Sequence, residues 1–379
     1  MAKKLRIGII FGGRSGEHEV SIRSAASVIE AINRRKYDVV PIAISRAGKW
    51  LSPAEAFQLL PGKAQSLLPA KLASGSRDAV AILGDPSHAG LLSLNRKGGA
   101  TDSQKLDVVF PVLHGPFGED GTLQGLLEMA NVPYVGCGVL ASSCGMDKVA
   151  MKLLFLQAGL PMCKYVWFLR SHWRSDRARI IKTITRKLGL PCFVKPANLG
   201  SSVGVSRAED KASLEHAVEL AAQYDRKIVV EEAVDARELE CAVIGNNEPK
   251  ASLPGEYVIY DKSAAFLDYT EKYTKTGHVE FVVPAPVSKS LATRIQKMAI
   301  QAFQSIDGSG LARVDFFLTR DSNKLLVNEL NTMPGLTDVS GYPKMWAASG
   351  VNYARMLDVL IELALERQRE KSLNKTTRA

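Results

Sequence analysis

The sequence predicts an α/β protein of two or three domains. Three observations predict it. The chain has 379 residues, too many for one ordinary core. Short apolar strands alternate with amphipathic helices through its first third. Further on, units of strand, loop and strand replace that alternation.

The first ~136 residues read as a doubly wound α/β unit. LRIGII (residues 5–10) is a short apolar strand, followed by the glycine-rich turn FGGRSGEHEVS. A helix from about Ser21 to Ile32 is predicted by Ile22, Ala25, Ile29 and Ile32 at helical spacing. YDVVPIAI supplies a second strand. The stretch from about Pro53 to Lys105 is weakly patterned and punctuated by Gly, Ser and Pro. LDVVFPVL (106–113) is a buried strand, followed by HGPFGEDG and a helix carrying Leu123, Leu126, Leu127 and Ala130. Ligands of such sheets bind beyond the carboxyl ends of the strands, which puts Glu17 and His114 in loops of interest. The turn GGRSG does not meet the GxGxxG dinucleotide fingerprint. A carboxylate after a glycine turn is commonly a surface or helix-capping residue, so both readings of Glu17 stay open.

In the middle segment, GLPCFVKPANLGSSVGVSRAED (189–210) gives a strand ending at Lys195, a loop of small residues and a second strand. Gly200, Ser201, Ser202 and Gly204 let backbone amides approach an anion, and Lys195 supplies a point charge. This is not a GxxxxGK[ST] loop, and a flexible hairpin is the alternative. Met146-Asp147-Lys148 opens a helix that includes Leu153, Leu154 and Leu156. Lys148 is either a second phosphate contact or a solvated lysine. KIVVEEAVDARELECAVIG reads as strand, linker and strand, and Glu231 follows its apolar run as a hinge to a nucleotide base and ribose would.

The richest stretch is ARVDFFLTRDSNKLLVNELNTMPG (312–335), two strands joined by the polar turn Asp321-Ser322-Asn323. Residues two apart on a strand share a face, so Arg313 pairs with Asp315 and Glu329 with Asn331. Burying such groups unpaired costs about 2–7 kcal/mol each, and more for charges. Two carboxylates and an amide oxygen from adjacent strands suit a hard cation such as Mg²⁺. A buried Arg–carboxylate network is the structural alternative.

Charge and composition limit the classes of function. Of the net charge of +10, three come from Lys3, Lys4 and Arg6, and three more from the stretch Glu366 to Ala379. Such ends are expected to be solvated and frayed, and no RNP-like or Cys/His-finger motif accompanies the charge, so nucleic acid is not an expected partner. No apolar run approaches the ~18 residues of a membrane span, and the start MAKKLRIGII lacks a signal peptide's apolar region. A cytoplasmic protein without membrane partners is expected. Cys137, Cys144, Cys163, Cys192 and Cys241 are odd in number and lack close paired spacing, so reduced, mostly buried thiols are expected.

FGGRSGEHEVS, HGPFGEDGTLQG, PYVGCGVLAS, MDK, VKPANLGSSVGV, YTEKY, RVDFF and NELNTMPG, in this order over most of the chain, resemble the D-alanine–D-alanine ligases of the ATP-grasp superfamily. Residues 53–105 and the charged tail resist matching, and Leu267 stands where the family commonly has tyrosine. The resemblance implies an ATP-grasp fold of three domains: a doubly wound N-terminal α/β domain over 1–137, a small central α+β domain over 138–232, and a larger C-terminal α+β domain over 233–379. It implies ATP between the last two, with Lys148 and Lys195 on its phosphates, Ser202 and Lys272 among its contacts, and Glu231 and Glu238 near adenosine. Asp315, Glu329 and Asn331 match ligands of Mg²⁺, or Mn²⁺. Glu17 would hold the ammonium of a first D-alanine, with His114 close by. Ser201 and Tyr273 would join Glu17 in a triad closing a lid over residues 255–278. Arg313 and the Gly335 backbone would stabilise an oxyanion. Lys272 and Ser340 would orient a second D-alanine.

The implied activity is ATP-dependent ligation of two D-alanines through a D-alanyl phosphate, serving peptidoglycan precursor synthesis, by a homodimer. Alternatives are a ligase joining D-alanine to D-lactate or D-serine, another ATP-grasp enzyme with a different acid and amine, and a non-catalytic ATP-binding protein.

Overall fold

A computed structural model describes residues 3–88, 90–94, 100–200, 202–259 and 279–375. Strands β1 (Leu5–Gly12), β2 (Tyr37–Ile44), β3 (Trp50–Leu51), β4 (Ala79–Ala81), β5 (Gly90–Leu94), β6 (Ala100–Lys105) and β7 (Val108–Pro111) belong to the N-terminal part. One sheet runs β3-β2-β1-β7, with β1 parallel to both β2 and β7. Both faces of β1 are covered: Ile7, Ile9 and Phe11 join one core cluster and Ile10 another. That is why this strand reads as a continuous apolar run rather than an alternating one.

The helix His18–Ala31 starts three residues before its apolar periodicity, and lays Ala25, Val28 and Ile29 on the first cluster. Among its described residues the weakly patterned stretch holds helices Pro53–Leu59 and Gly62–Ser66, followed by an antiparallel sheet β4-β5-β6. Its start was signalled by Ser52-Pro53-Ala54-Glu55, which forms a capping box.

In the middle, β8 (Tyr165–Leu169), β9 (Cys192–Pro196), β10 (Ser206–Ala208) and β11 (Lys227–Glu232) form an antiparallel sheet ordered β10-β9-β11-β8. Helices Arg177–Lys187 and Lys211–Tyr224 cover one face, with Ile184, Leu214 and Val218 packed on Val194, Ile228 and Val230.

The last sheet contains β12 (Ala236–Gly245), β13 (Lys250–Ala251), β14 (Gly255–Ile259), β15 (Val279–Val282), β16 (Gly310–Thr319) and β17 (Leu325–Asn331). It runs β15-β14-β12-β16-β17, with β13 beside β12. One face is apolar: Leu239, Cys241, Val314 and Phe316 pack on helices Lys148–Gln157 and Lys289–Ser305. By the alternation of a strand, Glu238, Glu240, Arg313 and Asp315 lie on the opposite face. A bulge between Asp315 and Phe316 keeps Asp315 opposite Glu329, and Arg313 faces Asn331.

The five cysteines are free, four of them buried, as expected. Among the described residues no helix is long and apolar enough to cross a membrane. The expectation of a frayed C-terminal tail fails for Glu366–Lys371, which are helical. The helix Tyr353–Lys371 returns to the N-terminal sheet, placing Met356, Leu360 and Ile361 in the same cluster as Ile7 and Ile9. Near its end, Arg367 donates to the carbonyls of Tyr134 and Gly136 and to Ser309 Oγ, and covers the Tyr134 ring at 4.2 Å. Its charge answers three acceptors, two of them the carbonyls of buried residues Tyr134 and Gly136.

Arg367→Met should therefore lower stability by about 2–4 kcal/mol, since charge-assisted bonds are lost and carbonyls are left unanswered. Urea unfolding checks this; a change below about 0.5 kcal/mol, the size of an ordinary surface substitution, contradicts it.

Candidate active site

The centre of the site is a cluster of charges on one face of the last sheet. Arg313 Nε donates to Asp315 Oδ1 at 2.6 Å, and Nη2 to Asp315 Oδ2 at 2.7 Å. Arg313 Nε also lies 3.1 Å from Glu240 Oε1. Strand pairing sets this geometry, since Glu240 on β12 is the register partner of Asp315 on β16. The three side chains are 15, 11 and 4 % exposed, so water screens them little. Burial would lower the pKa of Arg313, but Asp315 and Glu240 outweigh it and hold the guanidinium charged.

One guanidinium against two carboxylates leaves excess negative charge, and Glu329 faces Asp315 across the strands. Among the described residues no group of three or more His, Cys, Asp or Glu is placed to hold a metal. Two carboxylates and the Asn331 amide oxygen are nonetheless the hard oxygen set that a divalent cation takes when phosphate oxygens complete its shell. Asn331 Oδ1 already accepts from Met333 N at 2.8 Å, which fixes the orientation of its amide and leaves a lone pair on that oxygen. In chemistry the donor set suits such a cation, although both Asp315 oxygens also accept from Arg313.

A second charged cluster lies between the middle and last sheets. Glu231, at the end of β11, is pinned by Lys195 at 2.8 Å and Lys152 at 3.0 Å. Burial would raise the pKa of Glu231, but the two ammonium groups overcome it and hold the carboxyl well below its usual range. Lys195 shifts upward for the mirror reason: Glu231 and Glu329 outweigh its burial. Lys148, buried at the start of its helix, has a lowered pKa from desolvation, opposed chiefly by Glu329. It donates to the carbonyl of Leu199, so it is anchored to the small-residue loop rather than solvated. In that loop Ser202 and Gly204 adopt positive φ, with Val203 N and Val205 N closing turns onto Gly200 and Ser202. Next to this cluster is a cavity of about 320 Å³ lined by Phe193, Lys195, Glu231, Glu238, Tyr257 and Phe317, among others. Sequence-predicted Glu231 and Glu238 both face it.

The N-terminal loops reach the same region. Glu17 occupies the N-cap position of its helix, yet its side chain makes no capping bond. The capping reading therefore fails. A Cβ on Gly115 would stand 3.1 Å from Glu17 Oε2, and one on Gly200 would stand 3.8 Å from both Glu17 Oε2 and Glu119 Oε1. Gly115, at a positive φ, lets its loop come this close to Glu17, and the Gly200 loop lies within van der Waals reach of both carboxylates. His114 Nδ1 donates to the Met333 carbonyl at 3.1 Å, and Nε2 lies 3.2 Å from Ser24 Oγ. Burial lowers the pKa of His114 against the pull of Glu17, which favours a neutral ring that accepts from Ser24. Gly335 and Ser340 are also neighbours: a Cβ on Gly335 would be 2.9 Å from Ser340 Oγ, and one on Gly341 would be 2.7 Å from Glu240 Oε2. Ser340 is held by Thr337, its Oγ accepting from Thr337 N at 3.2 Å.

The structure thus brings together Glu17, His114, Lys148, Lys195, Glu231, Glu238, Arg313, Asp315, Glu329, Asn331, Gly335 and Ser340. Ser201, Lys272 and Tyr273 lie outside the described residues, as do lid positions 260–278. Sequence reasoning missed Glu119, Lys152 and Glu240. Each had a signal: Glu119 lies inside HGPFGEDG, Lys152 follows Lys148 by one helical turn, and Glu240 shares a strand face with Glu238.

Two family models cover most of the chain: "D-ala D-ala ligase N-terminus" over residues 6–137 and "D-ala D-ala ligase C-terminus" over residues 154–362. The chain belongs to the D-alanine–D-alanine ligase family. A D-alanine–D-alanine ligase of Heliobacterium modesticaldum is 47 % identical over 375 residues, covering 99 % of this chain and 98 % of the relative. One from Bacillus velezensis is 46 % identical, covering 97 % and 100 %. Among solved structures, the VanG D-Ala:D-Ser ligase from Enterococcus faecalis superposes with a TM-score of 0.81 at 37 % identity, over 96 % of this chain and 100 % of that one. The D-alanine–D-alanine ligase from Coxiella burnetii gives 0.81 at 35 %, over 98 % and 97 %. These full-length matches bear out the ATP-grasp, multi-domain α/β architecture, and the family uses ATP.

The family's HGPFGEDG loop carries one titration that can be tested. Burial, reinforced by Glu17, pushes the Glu119 carboxyl up from 4.5 to about 8, while the bond from Gly115 N at 2.8 Å opposes the shift. Between these values the folded chain binds more protons than the unfolded one, so this group's contribution to stability falls as pH rises. Glu119→Gln keeps the acceptor without the charge. The melting temperature of the variant relative to wild type should rise from about pH 5 to about pH 8 and level off above that; a constant difference across that range contradicts the assignment.

Proposed function

We propose that the chain is an ATP-dependent ligase that joins two D-alanine molecules to D-alanyl-D-alanine, releasing ADP and phosphate, for peptidoglycan precursor synthesis. The observation that carries this reading is the convergence of Glu17, the Gly200 loop and the charged face bearing Arg313 in one site, in a chain that matches D-alanine–D-alanine ligases along its length.

The chemistry divides among these residues. A carboxylate resists nucleophiles because its charge repels them and oxide cannot leave. The first D-alanine is held by Glu17, whose carboxylate pairs with the ammonium beside a neutral His114. Its carboxylate oxygen attacks the γ-phosphorus of ATP; the bond to the ADP oxygen breaks and an acyl phosphate forms. Lys148 and Lys195 hold the phosphates, and Glu231 and Glu238 face the adenosine side of the cavity, with Ser202 and Lys272 as further nucleotide contacts. Asp315, Glu329 and Asn331 would hold Mg²⁺, or Mn²⁺, which when bound neutralises phosphate charge. The second D-alanine, oriented by Lys272 and Ser340, then attacks the acyl carbon through its amine. Arg313 and the Gly335 amide meet the oxyanion that develops, a contribution of about 3–4 kcal/mol by analogy with other oxyanion-hole donors. The carbon–oxygen bond breaks, phosphate leaves, and the amine loses its proton. Ser201 and Tyr273 with Glu17 close a lid against water, which would otherwise hydrolyse the acyl phosphate. We place the enzyme in the cytoplasm as a homodimer.

A specific observation favours a second reading. A D-Ala:D-Ser ligase is 37 % identical to this chain, and in the second reading the second substrate is D-serine or another acceptor such as D-lactate. Coupled ADP-release assays separate these. The account expects turnover with D-alanine alone and none with L-alanine; turnover that needs D-serine or D-lactate supports the second reading, and none with any acid supports a non-catalytic nucleotide binder.

Arg313→Lys keeps charge but loses the planar fork. Its kcat should fall by ~10²-fold or more with the KM for ATP little changed. A variant that is only less thermostable, with normal kcat, contradicts the oxyanion role and supports a structural ion pair.

A further inference from the structure

Lys152 is a buried charge for which the proposed chemistry has no use. It sits on the helix Lys148–Gln157 one turn after Lys148, and its side chain is 1 % exposed. Desolvating an ammonium so completely costs several kcal/mol unless it is paired, as an order-of-magnitude figure. Its partners are Glu231 Oε1 at 3.0 Å, the Asn328 carbonyl at 3.5 Å and the face of Tyr165 at 5.7 Å. The other oxygen of Glu231 is taken by Lys195 at 2.8 Å. Glu231 and Lys195 both line the 320 Å³ cavity, and Lys152 is not among its lining residues.

One carboxylate with two ammonium partners is a specific arrangement. If Lys195 were the sole counter-ion of Glu231, its turning toward a nucleotide phosphate would leave a buried carboxylate unpaired, a loss of the size that removing one member of a buried pair incurs. With Lys152 in place, that loss is avoided. We propose that Lys152 is a positioning residue: it gives Glu231 a permanent counter-ion, so that Lys195 is released from Glu231 to bind the phosphates of the nucleotide. This inference rests on the reading of Lys195 as a phosphate contact. The arrangement also explains why a lysine, rather than an apolar residue, occupies a fully buried position on a helix that otherwise contributes Val149, Met151 and Phe155 to the interior.

The test is a double-mutant cycle on ADP binding with Mg²⁺, measured by titration calorimetry on the full chain. Lys195→Met should weaken ADP about tenfold or more through the loss of a charge-assisted contact. Lys152→Met should weaken it comparably, because Lys195 is then retained by Glu231. The double variant should be no weaker than Lys195→Met alone, within about twofold, since Lys152 acts through Lys195. Losses that multiply in the double variant overturn the inference while leaving Lys195 as a phosphate contact. Wild-type affinity in Lys195→Met overturns that underlying reading itself, and the inference with it. Where Lys152→Met does not fold, Glu231→Gln is compared with Lys152→Met/Glu231→Gln, in which both buried charges are gone. Equal ADP affinity in these two supports the inference, because Lys152 has nothing left to hold. A further loss of about tenfold on adding Lys152→Met overturns it.

Discussion

Charge buried within a sheet has to be answered by charge, and in this protein that requirement organises everything around the active site. Arg313 cannot sit on β16 at 15 % exposure without Asp315 and Glu240 beside it. Those carboxylates in turn cannot sit there without a cation. Removing one member of such a set typically costs about 3–5 kcal/mol, which explains why the polar groups come in matched sets rather than singly. The strand register delivers the match, because Glu240 lies opposite Asp315 and Asp315 opposite Glu329. The bulge beside Asp315 preserves this pairing where a regular ladder would have shifted it.

The same principle gives the site its capacity for change. Arg313 has two carboxylates and Glu231 has two lysines, so each central ion keeps a partner when a substrate or cation takes the other. Neutral groups follow a parallel logic. His114 has a partner for each ring nitrogen, and Ser340 is fixed by Thr337 before any ligand arrives. Glycines then allow the loops to meet. Gly115 has no Cβ to crowd Glu17, and Gly335 has none to collide with Ser340. The result is a site whose parts come from all the major sheets, while its geometry is set by one of them.

Much of this was legible in the sequence because it rests on periodicity. YDVVPIAI occupies β2 from end to end, and the two-residue spacing of Arg313 with Asp315 and of Glu329 with Asn331 translated directly into shared strand faces. Other features were less legible for physical reasons. The described residues between 53 and 105 include helices of seven and five residues and strands of three to six, each too short to show a clear period. The tail at Glu366–Lys371 reads as solvated charge, because sequence gives no hint that Arg367 would find three acceptors on two distant segments. Lys152 and Glu240 were missed for a different reason. Their meaning depends on partners some eighty residues away on other elements, and a single sequence does not reveal such pairings.

The account stands on the claim that this site activates a carboxylate by phosphorylating it. The most direct measurement uses D-alanine labelled with ¹⁸O in its carboxylate, with the phosphate and nucleotide products analysed by mass spectrometry. An acyl phosphate intermediate requires that one labelled oxygen appear in the inorganic phosphate released with each dipeptide formed, and none in ADP. Unlabelled phosphate, or label carried by a nucleoside monophosphate, would contradict it.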